Sequence, residues 1–391
     1  MAHSRRTKII ATLGPSTDRP GMLAKVIEAG ADVVRLNLSH GTAEDQLARA
    51  EDLRRVASSL GVEVAILADL QGPKIRVERF ADGAIDLEPD QPFVLDCADQ
   101  AAPGTAHRVG VSYKQLFKDV HPGDTLMLDD GLLSLRVDRI EGLEVHTHVL
   151  IGGQLSDRKG INRLGGGLSV DALSDKDRRD IELAARMGAD YLAVSFPRTA
   201  ADMNQARALL RGAGSSAALV AKIERAEAMV NLGEIIDASD AVLVARGDLG
   251  VEIGYAELPG LQKRIIRESL ARQRVVITAT QMLQSMVESP IPTRAEVLDV
   301  ANAVLDGSDA VMLSAETASG KHPDKAVAAM RSICAAAERQ FGEMEAPPSA
   351  PLEIHRTDQA IAMAAMDLAN RIGVRAIIAL TESGATAQWL S

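Results

Sequence analysis

Short apolar runs recur along the chain: KIIATLG (8–14), EAGADVVRLN (28–37), VEVAILAD (62–69), RMGADYLAVS (186–195), ALVAKIE (218–224), DASDAVLVAR (237–246), RVVITATQ (274–281) and LDGSDAVMLS (305–314). Their apolar cores are too short for helices and apolar at successive positions, which predicts strands buried on both faces. In the second, fourth, sixth and eighth runs a helix-like segment stops at a small residue, an Asp stands in the turn, and the apolar run follows. Amphipathic segments such as DRPGMLAKVIEAG and AEDQLARAEDLRRVASSLG fill the intervals with helical period. Strands alternating with helices in this number predict a (β/α)8 TIM barrel. A doubly wound open sheet would want a Gly-rich dinucleotide fingerprint after its first strand, where this chain reads GPST.

The alternation breaks once, between the third strand and the fourth. Residues 72–159 contain LLSLRVDRI and LEVHTHVL, apolar and polar with period two, with DDG and EGL as turns. They predict an inserted all-β lid domain, leaving the barrel on the face where barrel active sites lie. The barrel is then expected over 1–71 and 160–345. Beyond it, EAPPSAPLEIH reads as a linker, TDQAIAMAAMDLANRIG as a helix and VRAIIAL as a buried strand, so 346–391 is expected to form an incomplete C-terminal α/β segment.

Composition narrows the class. The chain has 391 residues, 46% hydrophobic and 25% charged, in the range of globular proteins. No apolar run approaches the roughly 18 residues of a membrane helix. MAHSRRTKII leads into a strand without a signal-peptide pattern, so a cytoplasmic location and no membrane partner are expected. A net charge of −11 argues against nucleic-acid binding but permits an anionic small substrate where positive charge gathers locally. Cys97 and Cys334 fit no ligand spacing and are expected as buried, unpaired side chains.

Barrel chemistry collects at the C-terminal ends of the strands. There the sequence places Arg35, Asn37 and Ser39, then Asp69, Ser195, Lys222 with Glu224, Arg246 with Asp248, Thr280, and Ser314 with Glu316. Lys222 and Glu224 are two apart on a strand and project to one face. A buried pair of this kind is weak support for stability, which favours a functional reading. Glu224 and Asp248, from adjacent strands, offer hard oxygen ligands for Mg²⁺. Lys222 and Arg35 would neutralise a phosphate, and GDLG (247–250) offers backbone N–H groups at a helix start for a carboxylate. The residues alone thus describe a site for a small phosphorylated carboxylate with a divalent metal, without naming the reaction.

TKIIATLGPST, VVRLNLSHG, ADLQGPKIR, LVAKIERAEA, VARGDLGVEI, ITATQML and PTRAEVLDVANAVLDGSDAVMLSAETASG, spanning 7–321, resemble in order the signature segments of pyruvate kinases. The resemblance implies phosphoryl transfer from phosphoenolpyruvate to ADP, giving pyruvate and ATP, with Mg²⁺ or Mn²⁺. It implies that Lys222 stabilises charge on the transferring group, that Glu224 and Asp248 hold the metal, and that Arg35 binds phosphate. It places the substrate carboxylate on the Gly247 and Asp248 backbone and Thr280 beside the enolate carbon. Nucleotide contacts fall to Asn37, His40, Arg76 and Lys159. A homo-oligomer, tetrameric in the family, is implied as well.

Three departures stand out. The hinge reads INRLGGGLS where the family usually has VNLPG, and the C-terminal domain of the family runs on for longer, which predicts little effector response and altered assembly. In the K⁺ site of the family, Asn37, Ser39 and Asp69 are kept, but Leu70 stands in the place of a Thr and Lys74 in the place of a Glu. Lys74 is therefore expected to take the ion's place beside Asp69, making K⁺ unnecessary. The competing functions are a Mg²⁺-dependent enolate aldolase or lyase, and an inactive truncated relic.

Overall fold

The computed structural model describes residues 5–343, 356–374, 376–381 and 384–390. Its strands in chain order are β1 (Lys8–Thr12), β2 (Val33–Asn37), β3 (Ala65–Asp69), β4 (Ala84–Leu87), β5 (Pro92–Asp96), β6 (Arg108–Gly110), β7 (Thr125–Leu128), β8 (Leu133–Glu141), β9 (Glu144–Ile151), β10 (Gly153–Ser156), β11 (Ile161–Arg163), β12 (Tyr191–Val194), β13 (Ala218–Ile223), β14 (Ala241–Ala245), β15 (Val275–Ala279) and β16 (Ala310–Leu313). The eight apolar runs form a closed parallel barrel in the order β1-β16-β15-β14-β13-β12-β3-β2.

Period-two alternation sorts each barrel strand into two cores. Ile9, Val34, Ile66, Leu192, Leu219 and Val242 face outward into cores that include helix residues such as Leu53, Ile181 and Met330. Ile10, Leu67, Ala193, Val220, Leu243, Ile277 and Met312 fill the barrel interior. The next interior position along β1, β2, β3, β12 and β13 is Thr12, Arg35, Asp69, Ser195 and Lys222. Polar groups thus form the top layer of an otherwise apolar interior.

The Asp repeated in the helix-to-strand joints has a structural task at the other end. Asp32 accepts the backbone N–H of Ile9 (2.7 Å), Asp190 that of Ile66 (2.7 Å), Asp240 that of Leu219 (2.7 Å) and Asp309 that of Val276 (2.8 Å). Each carboxylate fastens its strand to the start of the preceding one, satisfying a backbone donor that no strand would otherwise reach. A related contact lies where the chain enters the barrel: Glu338 accepts the N–H groups of Arg6 (2.9 and 3.0 Å) and Thr7 (2.7 Å).

The inserted segment forms a six-stranded sheet, β11-β7-β8-β9-β5-β6, and a two-stranded sheet of β10 and β4, around a core that includes Phe93, Leu95, Leu126 and Leu135. Its last strand, β11, lies beyond residue 159, where the sequence suggested a return to the barrel; antiparallel pairing with β7 keeps it in the lid sheet.

The described residues fall into two compact units, Met1–Glu338 and Arg339–Ser391. In the second, the expected helix is present as Thr357–Ile372, ended by Gly373 at φ 67°. The expected strand VRAIIAL is absent: its described residues carry no strand, with Ile378 90% and Leu380 95% exposed. A strand needs a neighbour for its N–H and C=O groups, and this unit has no strand among its described residues. The linker reading EAPPSAPLEIH falls outside the described residues. Cys97 and Cys334 are buried and free, and no described helix is long and apolar enough to cross a membrane.

Candidate functional site

Asp69, 1% exposed, is the hub of the barrel mouth. Arg35 Nε donates to its Oδ2 at 2.6 Å, and Lys222 Nζ lies 3.3 Å from its Oδ1. Thr12, one strand over and in register with Arg35, takes a second Arg35 N–H at 3.1 Å. Lys222 also donates to Ser195 Oγ at 2.6 Å and stands 3.0 Å from Glu224 Oε1, while Ser195 passes its own proton to the Leu70 carbonyl at 2.8 Å. Two cationic and two anionic side chains, Arg35, Lys222, Asp69 and Glu224, are therefore locked into one buried network.

The electrostatics follow from burial and charge. Burial alone would raise the Asp69 carboxyl, but Lys222 and Arg35 outweigh it and hold the group below its usual value. Burial pulls Lys222 down, and Asp69 and Glu224 more than reverse this, so the ammonium stays charged. Glu224 is pushed up by burial and, further, by the nearby carboxylate of Asp248 in spite of Lys222. Two carboxylates this close, one of them disfavoured in its ionised form, mark a place where a bound cation is favourable. Phe196 N–H holds the other Glu224 oxygen at 2.8 Å, from a residue in the left-handed region at φ 56°.

The opposite wall is the helix Arg246–Ile253, which begins directly after β14. Gly247 N–H donates to Thr280 Oγ1 at 3.2 Å. Thr280 is held at φ 69° by Arg246, whose guanidinium donates to the Thr280 carbonyl (2.6 and 3.1 Å) and the Ala279 carbonyl (3.0 Å) and is anchored by Asp299 at 2.8 Å.

A cavity of about 700 Å³ between barrel rim and lid is lined by His40, Arg76 and Arg158, among others. Burial, then Arg35, Arg76 and Lys176, lower the His40 pKa and favour the neutral ring. Lys159 pairs with Asp129 of the lid at 2.8 Å.

The description "Pyruvate kinase, barrel domain" matches residues 4–327, and "Pyruvate kinase, alpha/beta domain" matches 359–391. The chain belongs to the pyruvate kinase family. It is 55% identical to a pyruvate kinase of Haemophilus influenzae and to pyruvate kinase II of Salmonella typhimurium, each over 98% of this chain and 81% of the relative. A crystal structure of a pyruvate kinase from Cryptosporidium parvum is similar with a TM-score of 0.89 at 36% identity, over 99% of this chain and 80% of that one. The chemistry is accordingly the phosphotransferase reaction of glycolysis, from phosphoenolpyruvate and ADP to pyruvate and ATP, and not an aldolase or lyase reaction.

Against this family frame, one expectation is corrected. Lys74 is not beside Asp69: its ammonium lies 3.2 Å from Asp248 Oδ1 and 3.6 Å from Asp130 Oδ1 of the lid. Asp69 already has two cations, whereas Asp248 and Asp130 have charge to spare. Gly72 aims the turn, its N–H on Asp177 at 3.0 Å and its φ at 67°; a Cβ there would come within 2.6 Å of Ser195 Cβ. Asn37 Oδ1 accepts from Ser39 N–H at 3.1 Å, closing the loop that leads to His40.

Of the other strand-end groups, Glu316 is fully buried and accepts the Leu283 and Ser314 N–H groups, a structural position. Sequence reasoning missed Thr12, Phe196 and Tyr255. Strand parity was the available signal for Thr12, two positions beyond Ile10; nothing local marked the others.

Proposed function

We propose that Lys222, Arg35 and Thr280 carry the transfer, with phosphoenolpyruvate seated between Lys222 and the start of the helix Arg246–Ile253. Arg35 and Lys222 bind the phosphoryl group and offset charge that develops on it and on the enolate oxygen. The Gly247 and Asp248 N–H groups receive the substrate carboxylate, aided by the positive end of the helix. Thr280 Oγ1 orders the proton donor at the enolate carbon. Glu224 and Asp248 are the pair that would hold Mg²⁺ or Mn²⁺; when bound, the ion polarises the phosphoryl and enolate oxygens. Their fit rests on the mutual repulsion that raises Glu224 and on the Lys74 ammonium already standing against Asp248. Asn37, His40, Arg76 and Lys159 line the nucleotide side.

The observation that carries this reading is the convergence of Lys222 on Asp69, Ser195 and Glu224 at the apex of the barrel interior. Pyruvate formation from phosphoenolpyruvate, ADP and Mg²⁺, followed by coupled lactate dehydrogenase, tests it. Loss of activity in Lys222→Met with unchanged circular dichroism supports it; near-native turnover overturns it.

K⁺ independence is part of the same reading. Leu70 offers no hydroxyl, and Lys74 delivers a fixed charge to the site from the Asp248 side. Turnover in K⁺-free buffer is expected to be close to that in K⁺, and Lys74→Glu to depend on K⁺. Stimulation of the unaltered chain by more than about tenfold, some 1.4 kcal/mol, contradicts it.

A further inference from the structure

Besides the contact of Asn162 on β11 with Glu252, the lid meets the far wall of the barrel mouth at the turn Asp129–Gly131, whose residues have φ 49°, 53° and 89°. Within the turn the Asp129 carbonyl accepts the Leu132 N–H at 3.1 Å. The Asp130 carbonyl accepts the hydroxyl of Tyr255 at 2.7 Å. Tyr255 stands between the helix Arg246–Ile253 and the helix Leu258–Ala271, just after Gly254.

Two glycines make room for the ring. At Gly250, on the helix that begins with the proposed carboxylate site, a Cβ would lie 3.2 Å from Tyr255 Cδ1; at Gly131, on the lid, it would lie 2.7 Å from the phenol oxygen. Burial, then the Asp130 carboxylate, raise the Tyr255 pKa, so the hydroxyl remains a donor through the neutral range. The same Asp130 carries the carboxylate 3.6 Å from Lys74. Position of the lid tip and charge balance at Asp248 are thereby joined through one residue.

We infer that Tyr255 is the seat on which the lid tip closes, a positioning residue that sets how far the lid shuts over the nucleotide side. The hydrogen bond fixes the Asp130 backbone, and that backbone fixes the carboxylate facing Lys74. The kinetic consequence rests on the phosphotransfer reading above; the position of the lid does not.

The test uses the full chain with spin labels on Leu143→Cys of the lid and Val230→Cys of the barrel, both sites exposed; the two native cysteines are buried. In substrate-free protein, Tyr255→Phe is expected to move the lid-to-barrel distance distribution to longer values. KM for ADP is expected to rise roughly three- to tenfold with kcat within twofold, the scale of one lost hydrogen bond. Gly131→Ala should act from the lid side, and the double variant should be no worse than the more severe single one. An unchanged distance distribution in Tyr255→Phe, or additive effects in the cycle, overturns the assignment. If the unaltered chain forms no pyruvate, the functional reading fails, while the distance measurement still decides the seat.

Discussion

The two ends of the barrel use the same side chains for opposite purposes. At the N-terminal end, Asp32, Asp190, Asp240 and Asp309 each accept a strand N–H. At the C-terminal end, Asp69, Glu224 and Asp248 face the cations Arg35, Lys222 and Lys74. A carboxylate satisfied by backbone holds the fold and has little left to offer a ligand. One balanced against mobile or displaceable charge is ready to exchange partners. Donor type alone does not separate the two, since Asp32, Asp190 and Asp240 also pair with Arg5, Arg54 and Arg207, and Glu224 also accepts the Phe196 N–H. Burial does: those three lower carboxylates are 30–43% exposed, and Asp69 and Glu224 1% and 3%.

Breaking the upper set should cost activity first. Lys222→Ala is expected to lower kcat by roughly 10²–10³ or more, as for other single electrostatic groups aimed at developing charge. The urea midpoint of the variant checks that folding survives: Asp69 keeps Arg35, and burial already shifts Glu224 toward its neutral form.

Glu252, on the helix Arg246–Ile253, sharpens the comparison because both a backbone N–H and the nearby Arg225 act on it. It is 4% exposed, accepts the Ala226 N–H at 3.0 Å, and its pKa is pushed from 4.5 to about 7 by burial. The folded state therefore binds the proton more tightly than the unfolded chain. Below pH 4.5 both states hold it, and stability is lost as pH rises toward 7 and beyond. At about 1.4 kcal/mol per unit, the loss approaches roughly 3 kcal/mol. Glu252→Gln should flatten that decline in urea unfolding between pH 5 and 8; an unchanged slope would show the carboxyl to be ionised at little cost.

At the lower end, Asp240→Ala removes the acceptor for Leu219 N–H and the partner of Arg207 (2.9 Å). Stability should fall by about 1–3 kcal/mol, with kcat within twofold; a large loss of kcat in folded protein would erase the distinction between the ends. The smallest effect is expected for Lys159→Ala, whose ion pair with Asp129 is partly exposed at 38%. An exposed pair contributes about 0.2–1 kcal/mol, so a change in KM for ADP of a few-fold is expected by initial-rate assay.

What could be read from the chain follows the reach of local rules. Parity along a strand decides which side chain faces the interior, so Arg35, Asp69 and Lys222 were legible two positions beyond Val33, Leu67 and Val220. The recurrent Asp was legible as a joint, but not as a tie between strands, because its acceptor role depends on the register of a neighbour. Contacts between lid and barrel were not legible at all. Lys74 was expected on Asp69 as a substitute for the K⁺ of the family, yet which carboxylate takes it depends on what each already holds. The strand expected in VRAIIAL failed for a related reason: β-propensity supplies a tendency and a paired edge supplies the structure.

The contact of Glu338 with the Arg6 and Thr7 N–H groups also bears on chain connectivity. It brings the entry of the first unit and the far end of that unit within a single side chain of each other, although 332 residues separate them. A few flexible residues would span such a gap, so the unit is a candidate for circular permutation. New termini opened at the exposed lid turn around Gly142, where β8 meets β9, would leave all eight barrel strands and their order around the closed sheet uncut.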